Sequence, residues 1–283
     1  MSAKVTVVLL IWNGWHDTSL CLSSLEQLDY PNFNVVVIDN GSTDDSTAHI
    51  RETFPWAKVI ENGKNLGFAA GCNAGIKYAQ QQGCDFIWLL NNDTTVDPGA
   101  LRAMVEKAQT NPRIGAVGSV IYFMDEPTRL QCWGGGYVNF WLGKSGHYLK
   151  EVADDKIEFI TGCSLLLSRV AIDEIGALDE GFFMYWEDAD ICFRLRRASW
   201  LLAAAANSKL WHKGYTSIGK GTVSSYRNFN ASAARFFRKH ALVPLYSTWA
   251  GFTLRLGKRI IAGDWEKLRA TWIGMREGRV AHI

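Results

Sequence analysis

Acidic side chains nearly vanish from the last third of this chain: residues 196–283 carry three Asp or Glu against 16 Lys or Arg, whereas residues 1–195 carry 25 against 14. The formal net charge of +2 therefore hides a body near −11 and a tail near +13. Such asymmetry points to an anionic partner, or to attraction between the two parts. No motif supports nucleic acid as that partner. None of the six cysteines (Cys21, Cys72, Cys84, Cys132, Cys163, Cys192) forms a C-x-x-C pair, and most sit in apolar runs. Neither a zinc site nor a disulfide frame fits, which leaves reduced, buried thiols. No uninterrupted apolar run reaches the roughly eighteen residues of a membrane span. No small-residue cleavage site follows the apolar run Val5–Trp12, so that run reads as a first strand and the compartment as cytoplasmic. Repeats and low-complexity tracts are also missing.

With 283 residues, 48% hydrophobic and 20% charged, the chain can bury a core as one large α/β domain with an appendage. Short apolar runs alternate with longer amphipathic ones: strands at 5–12, 34–38, 57–60 and 86–90, helices at 18–28, 44–54 and 67–82. That alternation predicts βαβ units, a Rossmann-like, mostly parallel sheet flanked by helices. The continuous apolar runs at 5–12 and 35–38 predict strands covered on both faces. Asp97 reads as an N-cap with Pro98 at the first position of a helix reaching Gln109, followed by a strand at 114–123. The Gly- and aromatic-rich stretch 131–148 reads as a loop or hairpin facing an acceptor. Then come a strand at 159–168, a short helix at 170–175 and an amphipathic helix at 188–198. From about Asn228 to the end the pattern is helical, apolar and basic. It suits amphipathic helices on a membrane surface, or helices packing their apolar face on the main body.

In open parallel sheets ligands bind at the carboxyl ends of strands. Three polar segments fall there: Asn13 after the first strand, Asp39-Asn40-Gly41-Ser42-Thr43-Asp44 after the second, and Asn91-Asn92-Asp93-Thr94 after the fourth. The run from Asn65 through Gly67 to Asn73 and Gly75 enters a helix with small residues on several turns, allowing a ligand or a neighbouring strand to approach closely. Asp93 projects from a fully apolar strand, where a carboxylate can hold Mg²⁺ or Mn²⁺ against phosphate oxygens or simply cap a helix. In Trp186-Glu187-Asp188-Ala189-Asp190 with Arg194, three acids open a helix whose dipole favours anions, and a positioned carboxylate there can deprotonate a hydroxyl. Glu187 and Asp190 also fit plain helix chemistry, Asp190 and Arg194 as an i,i+4 ion pair. Asp188 is the candidate base. His212 could add an imidazole to the metal site.

The order of these motifs, with Gly162-Cys163-Ser164 between them, resembles the family 2 glycosyltransferases of the GT-A fold, especially the bacterial rhamnosyltransferase-like branch, from about Val5 to Lys239. The resemblance implies an inverting transfer of a sugar from a nucleoside-diphosphate sugar, with dTDP-rhamnose a candidate, to a glycan or lipid-linked glycan in surface polysaccharide synthesis. It implies a catalytic domain over 1–227, its nucleotide half ending near 110, and a C-terminal helical segment over 228–283. By position Asp39 reads the base; Asn13, Asn40, Ser42, Asn65, Gly67, Asn73 and Asn92 line the donor pocket. Asp93 and His212 hold a divalent cation (Mn²⁺ or Mg²⁺), Asp188 is the general base, and Trp186, Glu187, Asp190 and Arg194 serve the acceptor or support the site. Two positions depart from the family pattern: Asn91 replaces the first acid of an Asp-x-Asp pair, and Trp200 stands where relatives carry glycine. The alternatives are a donor-binding scaffold without turnover and a sugar-nucleotide pyrophosphorylase. The loop Asn13-Gly14-Trp15-His16-Asp17 lacks the Gly-rich, Arg- or Lys-bearing character of the latter. An anionic membrane, met from the inner face, is the partner that the basic tail suggests.

Overall fold

The computed structural model describes residues 2–214 and 221–279. A large sheet runs in the order β3-β2-β1-β4-β11-β6-β12-β5. These strands are β1 (Val5–Ile11), β2 (Phe33–Asp39), β3 (Lys58–Glu61), β4 (Phe86–Asn91), β5 (Thr94–Val96), β6 (Ile114–Phe123), β11 (Ser164–Ser168) and β12 (Leu201–His212). The first four are parallel, joined through the helices α1 (Trp15–Leu25), α2 (Ser46–Thr53) and α3 (Phe68–Gln81). Beyond β4 the sheet is mixed, because β11 enters antiparallel to both β4 and β6. β1 and β2 are covered on both faces, in keeping with their unbroken apolar runs. One core, on the α3 side, includes Val8, Val36 and Ile38, and the other, on the α1 side, includes Val7, Leu9 and Val37.

Several elements differ from the sequence reading for identifiable reasons. The helix α4 (Ala100–Gln109) opens two residues later than expected. Asp97 accepts the Gly99 N–H through its side chain and the Ala100 N–H through its carbonyl, which holds Pro98 in the preceding turn instead of capping the helix. The Gly-rich stretch forms strands β7 (Leu130–Trp133), β8 (Gly135–Asn139) and β9 (Lys144–His147). β8 and β9 form a hairpin, and with β10 (Phe159–Ile160) make a second, three-stranded sheet. The strand expected at 159–168 is thus cut into β10 and β11 by a turn at Thr161-Gly162-Cys163, so one short segment serves two sheets.

Helices α5 (Arg169–Ile175) and α6 (Glu187–Arg197) cover the same face as α3. Three helices close the chain: α7 (Val223–His240), α8 (Pro244–Ile261) and α9 (Trp265–Arg279). The division expected at residue 228 falls inside α7, whose Ala233, Phe236 and Phe237 lie in the α3-side core. The two glycines Gly274 and Gly278 let α9 lie tightly on α7: a Cβ at either would come 2.1 Å from a carbonyl oxygen of Arg227 or Ala231. Among the described residues no helix is long and apolar enough to cross a membrane.

Candidate active site

The carboxyl ends of β1, β2 and β4 open on one cleft, and their loops are laced together. Asn13 adopts a left-handed conformation (φ 60°) that aims its backbone N–H at the Ser42 hydroxyl (2.7 Å), while its Oδ1 accepts the Thr43 N–H (2.8 Å). Asp39 is buried, and its carboxylate accepts the N–H groups of Gly41 and Ser42, so it shapes the loop expected to receive a base. Asn92 donates to the Thr18 hydroxyl at 2.9 Å and joins the β4 end to α1.

Other residues expected to line a donor pocket are spent inside the protein. Asn40 donates to Asn65 Oδ1 (3.0 Å) and to the Gly67 carbonyl (3.1 Å) and accepts from Asn62 and Leu66, which uses its amide to clamp two loops. Asn65 in turn accepts the Gly67 N–H. Gly67 sits at φ 84°, and a Cβ there would lie 2.4 Å from the Phe183 carbonyl oxygen. The small residues of α3 likewise make room for strands: Cβ atoms at Gly71 and Gly75 would strike Leu10 and Val8. Asn73 departs furthest from its expected place in the nucleotide pocket. Its amide donates to the Leu178 carbonyl and Glu180 Oε1 (both 2.9 Å) and accepts the Leu178 N–H (3.0 Å), pinning the chain that precedes α6.

Asp93, with 2% exposure, places Oδ1 3.2 Å from His212 Nε2. His212 Nδ1 lies 2.9 Å from Gln131 Oε1 on β7, so the ring nitrogen facing the carbonyl oxygen of that amide is the donor and Nε2 faces Asp93. Burial pulls the imidazole pKa down, but Cys163 and Asp93 beside it outweigh burial and push it up to about 11. A cation bound here must therefore displace a proton. A carboxylate oxygen and an imidazole nitrogen suit Mn²⁺ or Mg²⁺, ions that take one or two carboxylates together with substrate phosphates. Among the described residues no three His, Cys, Asp or Glu side chains converge in a cage. Asn91 Nδ2 stands 3.5 Å from the same His212 Nε2. Lys213 pairs with Asp17 of α1 at 2.8 Å, tying the β12 end across the cleft.

The turn between β10 and β11 links this pair to the base candidate. Gly162 N–H donates to Asp188 Oδ2 (2.9 Å), and the next carbonyl, that of Cys163, accepts the Asn91 N–H (3.0 Å). Asp188 Oδ1 accepts the Ala189 N–H at 2.7 Å. Burial pushes the Asp188 carboxyl above the usual range although these N–H groups pull the other way, which makes its anion a stronger base. Glu187 is fully buried, and desolvation together with the neighbouring Asp188 charge raises it well above its ordinary value.

Trp186 and Asp190 hold the helix rather than face an acceptor. Tyr185 and Trp186 are both left-handed (φ 71° and 68°), a strained entry to α6. The Trp186 ring packs against Phe236 (4.7 Å) and Phe237 (5.1 Å) of α7, contacts that contribute about 1 kcal/mol each beyond simple burial. Asp190 has no exposed side-chain surface and is met by Arg194 (2.9 Å), Lys239 (2.7 Å) and His240 (2.7 Å). Those partners hold its carboxyl down at about 2 against the opposing effect of burial. Arg194 continues to the carbonyls of Ile175, Gly176 and Ala177, capping α5. Trp200 is also internal: its indole N–H donates to Glu174 (3.0 Å) and Arg113 lies over its ring.

Sequence reasoning missed Gln131 and His147, and singled out Gly162 only as part of a motif, without its bond to Asp188. His147, at the end of β9, pairs across Gly136 with Phe159, their rings 5.8 Å apart, and lies within electrostatic reach of both Asp188 and His212. The glycine is required, since a Cβ at Gly136 would come 2.8 Å from the Phe159 ring. The Gly146-His147 pair in a Gly-rich stretch was the available signal, but only the second sheet brings it to the cleft.

The sequence model of glycosyl transferase family 2 matches residues 6–176. The chain is 27% identical over 247 residues to N-acetylglucosaminyl-diphospho-decaprenol L-rhamnosyltransferase of Mycobacterium tuberculosis, covering 79% of this chain and 80% of that protein. It is 32% identical over 116 residues to poly-beta-1,6-N-acetyl-D-glucosamine synthase of Staphylococcus epidermidis, covering 40% of this chain and 27% of that one. Among solved structures it resembles the mannosyltransferase PcManGT from Pyrobaculum calidifontis in complex with GDP-Man and Mn²⁺, with a TM-score of 0.63 at 14% identity, covering 98% of this chain and 85% of that one. GalNAc-T7 with UDP, GalNAc and Mn²⁺ gives 0.64 at 14%, over 87% and 53%. These likenesses establish the GT-A fold.

Proposed function

Since the chain belongs to glycosyl transferase family 2, we propose that it is an inverting hexosyltransferase that moves a sugar from a nucleoside-diphosphate sugar to a hydroxyl of a glycan or lipid-linked glycan. The observation that carries this reading is the three-residue turn Thr161-Gly162-Cys163, which ties Asp188 through one peptide N–H and the Asp93 loop through the next carbonyl. A base and a diphosphate-facing pair thereby share one cleft. In the proposed step Asp188 takes the acceptor hydroxyl proton as that oxygen bonds to the anomeric carbon. The bond from the anomeric carbon to the diphosphate oxygen breaks on the opposite face, which inverts the configuration. A divalent cation held by Asp93 and His212 would supply Lewis-acid stabilisation to the departing diphosphate. Asn13, Asp39 and Ser42 shape the wall that receives the nucleotide.

The curated relative from M. tuberculosis is named for rhamnosyl transfer to a lipid diphosphate, which supports dTDP-rhamnose as first donor to test and surface polysaccharide synthesis as the setting. We place the catalytic domain through α7, with the basic helices α8 and α9 after it, at the cytoplasmic face of a membrane. The test is release of nucleoside diphosphate by purified protein from dTDP-rhamnose, UDP-hexoses and GDP-mannose, each with Mn²⁺, Mg²⁺ or EDTA. Cation-dependent release from one donor supports the transferase. Nucleotide binding without release, even in the presence of lipid-diphosphate sugar acceptors, would favour a scaffold.

A further inference from the structure

Helix α8 buries Phe252 against Trp272 but leaves a second apolar stripe facing outward. It turns Ser247, Thr248, Gly251 and Arg255 toward the body, where Arg255 donates to Asn230 Oδ1 (2.7 Å) and to the Gly143 carbonyl (2.9 Å). Leu245, Trp249 and Ile260, at helical spacing on the opposite side, are exposed by 64%, 38% and 54%, with Tyr246 beside them. The hairpin turn between β8 and β9 extends this stripe. Gly143, at φ 54°, is seated so closely on α8 that a Cβ would lie 2.1 Å from the Ser247 carbonyl oxygen, and Trp141 meets the Tyr246 ring at 5.7 Å. Two segments a hundred residues apart in sequence thus build one exposed apolar plate, about 22 Å long from the helix rise between Leu245 and Ile260 alone.

The chemistry around the plate selects its occupant. Neither α8 nor the β8–β9 turn carries an Asp or Glu, and Lys144 and Lys258 are exposed on these two elements. Trp and Tyr on an apolar stripe, bordered by cations without anions, match the interface of an anionic bilayer. Geometry also joins the plate to the cleft, because the β8–β9 hairpin pairs with β10, which runs directly into the turn whose Gly162 N–H donates to Asp188. We propose that α8 and the β8–β9 turn dock flat on an anionic lipid bilayer, with the hairpin leading from the lipid surface to the base. This deepens the lipid-linked-acceptor part of the proposed function and rests on it only for the purpose of the docking.

The test is co-sedimentation of the full chain, without donor or acceptor, with phosphatidylcholine vesicles containing or lacking phosphatidylglycerol. Binding to the anionic vesicles is expected, weakening with salt. The triple variant Leu245→Glu/Trp249→Glu/Ile260→Glu should lose it by at least tenfold, and Lys144→Glu/Lys258→Glu should weaken it about fivefold per lysine on anionic vesicles alone. Circular dichroism and nucleotide binding check that the variants fold. Failure of the wild type to bind, or unchanged binding by the triple variant, overturns the proposal. So does a dimer in size-exclusion chromatography that the triple variant makes monomeric while vesicle binding stays absent. Nucleoside diphosphate release from the same preparations in vesicle-free buffer separates the two readings: turnover without vesicle binding sinks only the docking surface.

Discussion

At the residue scale, the direction in which a polar side chain points decides what it does. Asn40 and Asn73 stand in stretches that look like donor-binding motifs, yet each spends its whole amide on neighbouring loops. A motif reveals that a polar group sits at a strand or helix end, not which way it faces. Asp93 and His212, by contrast, were legible because both follow apolar strands that end on one cleft, and the structure brings them within 3.2 Å. Gln131 was not legible, since its only role is read across two strands from His212 Nδ1. Its loss tests that role: Gln131→Ala should weaken Mn²⁺ binding roughly ten- to a hundredfold, as removal of an orienting partner does, measured by titration with Mn²⁺ and electron paramagnetic resonance. Asp188 carries a pH expectation. Its folded pKa is raised, and the base must be ionised, so turnover should fall as pH drops through a point above the ordinary carboxylate range. A rate profile flat down to pH 4, about the ordinary carboxyl value, would remove Asp188 from that role.

At the scale of elements, α6 is held from both ends. Its entry is bent by Tyr185 and Trp186 in left-handed conformations, and its body is fixed to α7 through Asp190. The i,i+4 pair of Asp190 and Arg194 could be read from the sequence, and it exists. Lys239 and His240 could not, because nothing in a single sequence tells which later helix returns to cover α6. Asp190→Ala leaves three basic groups facing an empty buried position, and stability should fall by about 3 kcal/mol or more, read from urea unfolding. The carboxyl of Asp190 is depressed to about 2 in the folded chain. Its contribution is therefore present above its unfolded pKa near 4 and disappears as pH falls toward 2. Wild type should lose stability across that window more steeply than Asp190→Asn. The split of β10 from β11 was hidden for a similar reason: apolar residues stand on both sides of Thr161-Gly162-Cys163, and only pairing with β8 on one side and β4 on the other reveals the break at Gly162.

For the whole molecule, alternation of strand and helix over the first hundred residues was legible because parallel strands buried on both faces leave unbroken apolar runs. The second half was less so. Short antiparallel strands rich in glycine carry little periodicity, and β12 reads as a run of alanines. The charge asymmetry has a partial internal use, since Lys239 and Arg235 pair with Asp179 of the acidic body, while Lys258 of α8 remains exposed. In the proposed account the donor lies at the carboxyl ends of β1, β2 and β4, the base is Asp188 on α6, and the exposed plate on α8 meets lipid. The measurement that tests this account most directly compares wild type with Asp188→Asn, using the donor that gives cation-dependent release and its acceptor. Asparagine can still accept a backbone N–H, so donor binding should stay within about twofold while sugar transfer falls a hundredfold or more, the scale of a lost general base. Transfer by Asp188→Asn at the wild-type rate would contradict it.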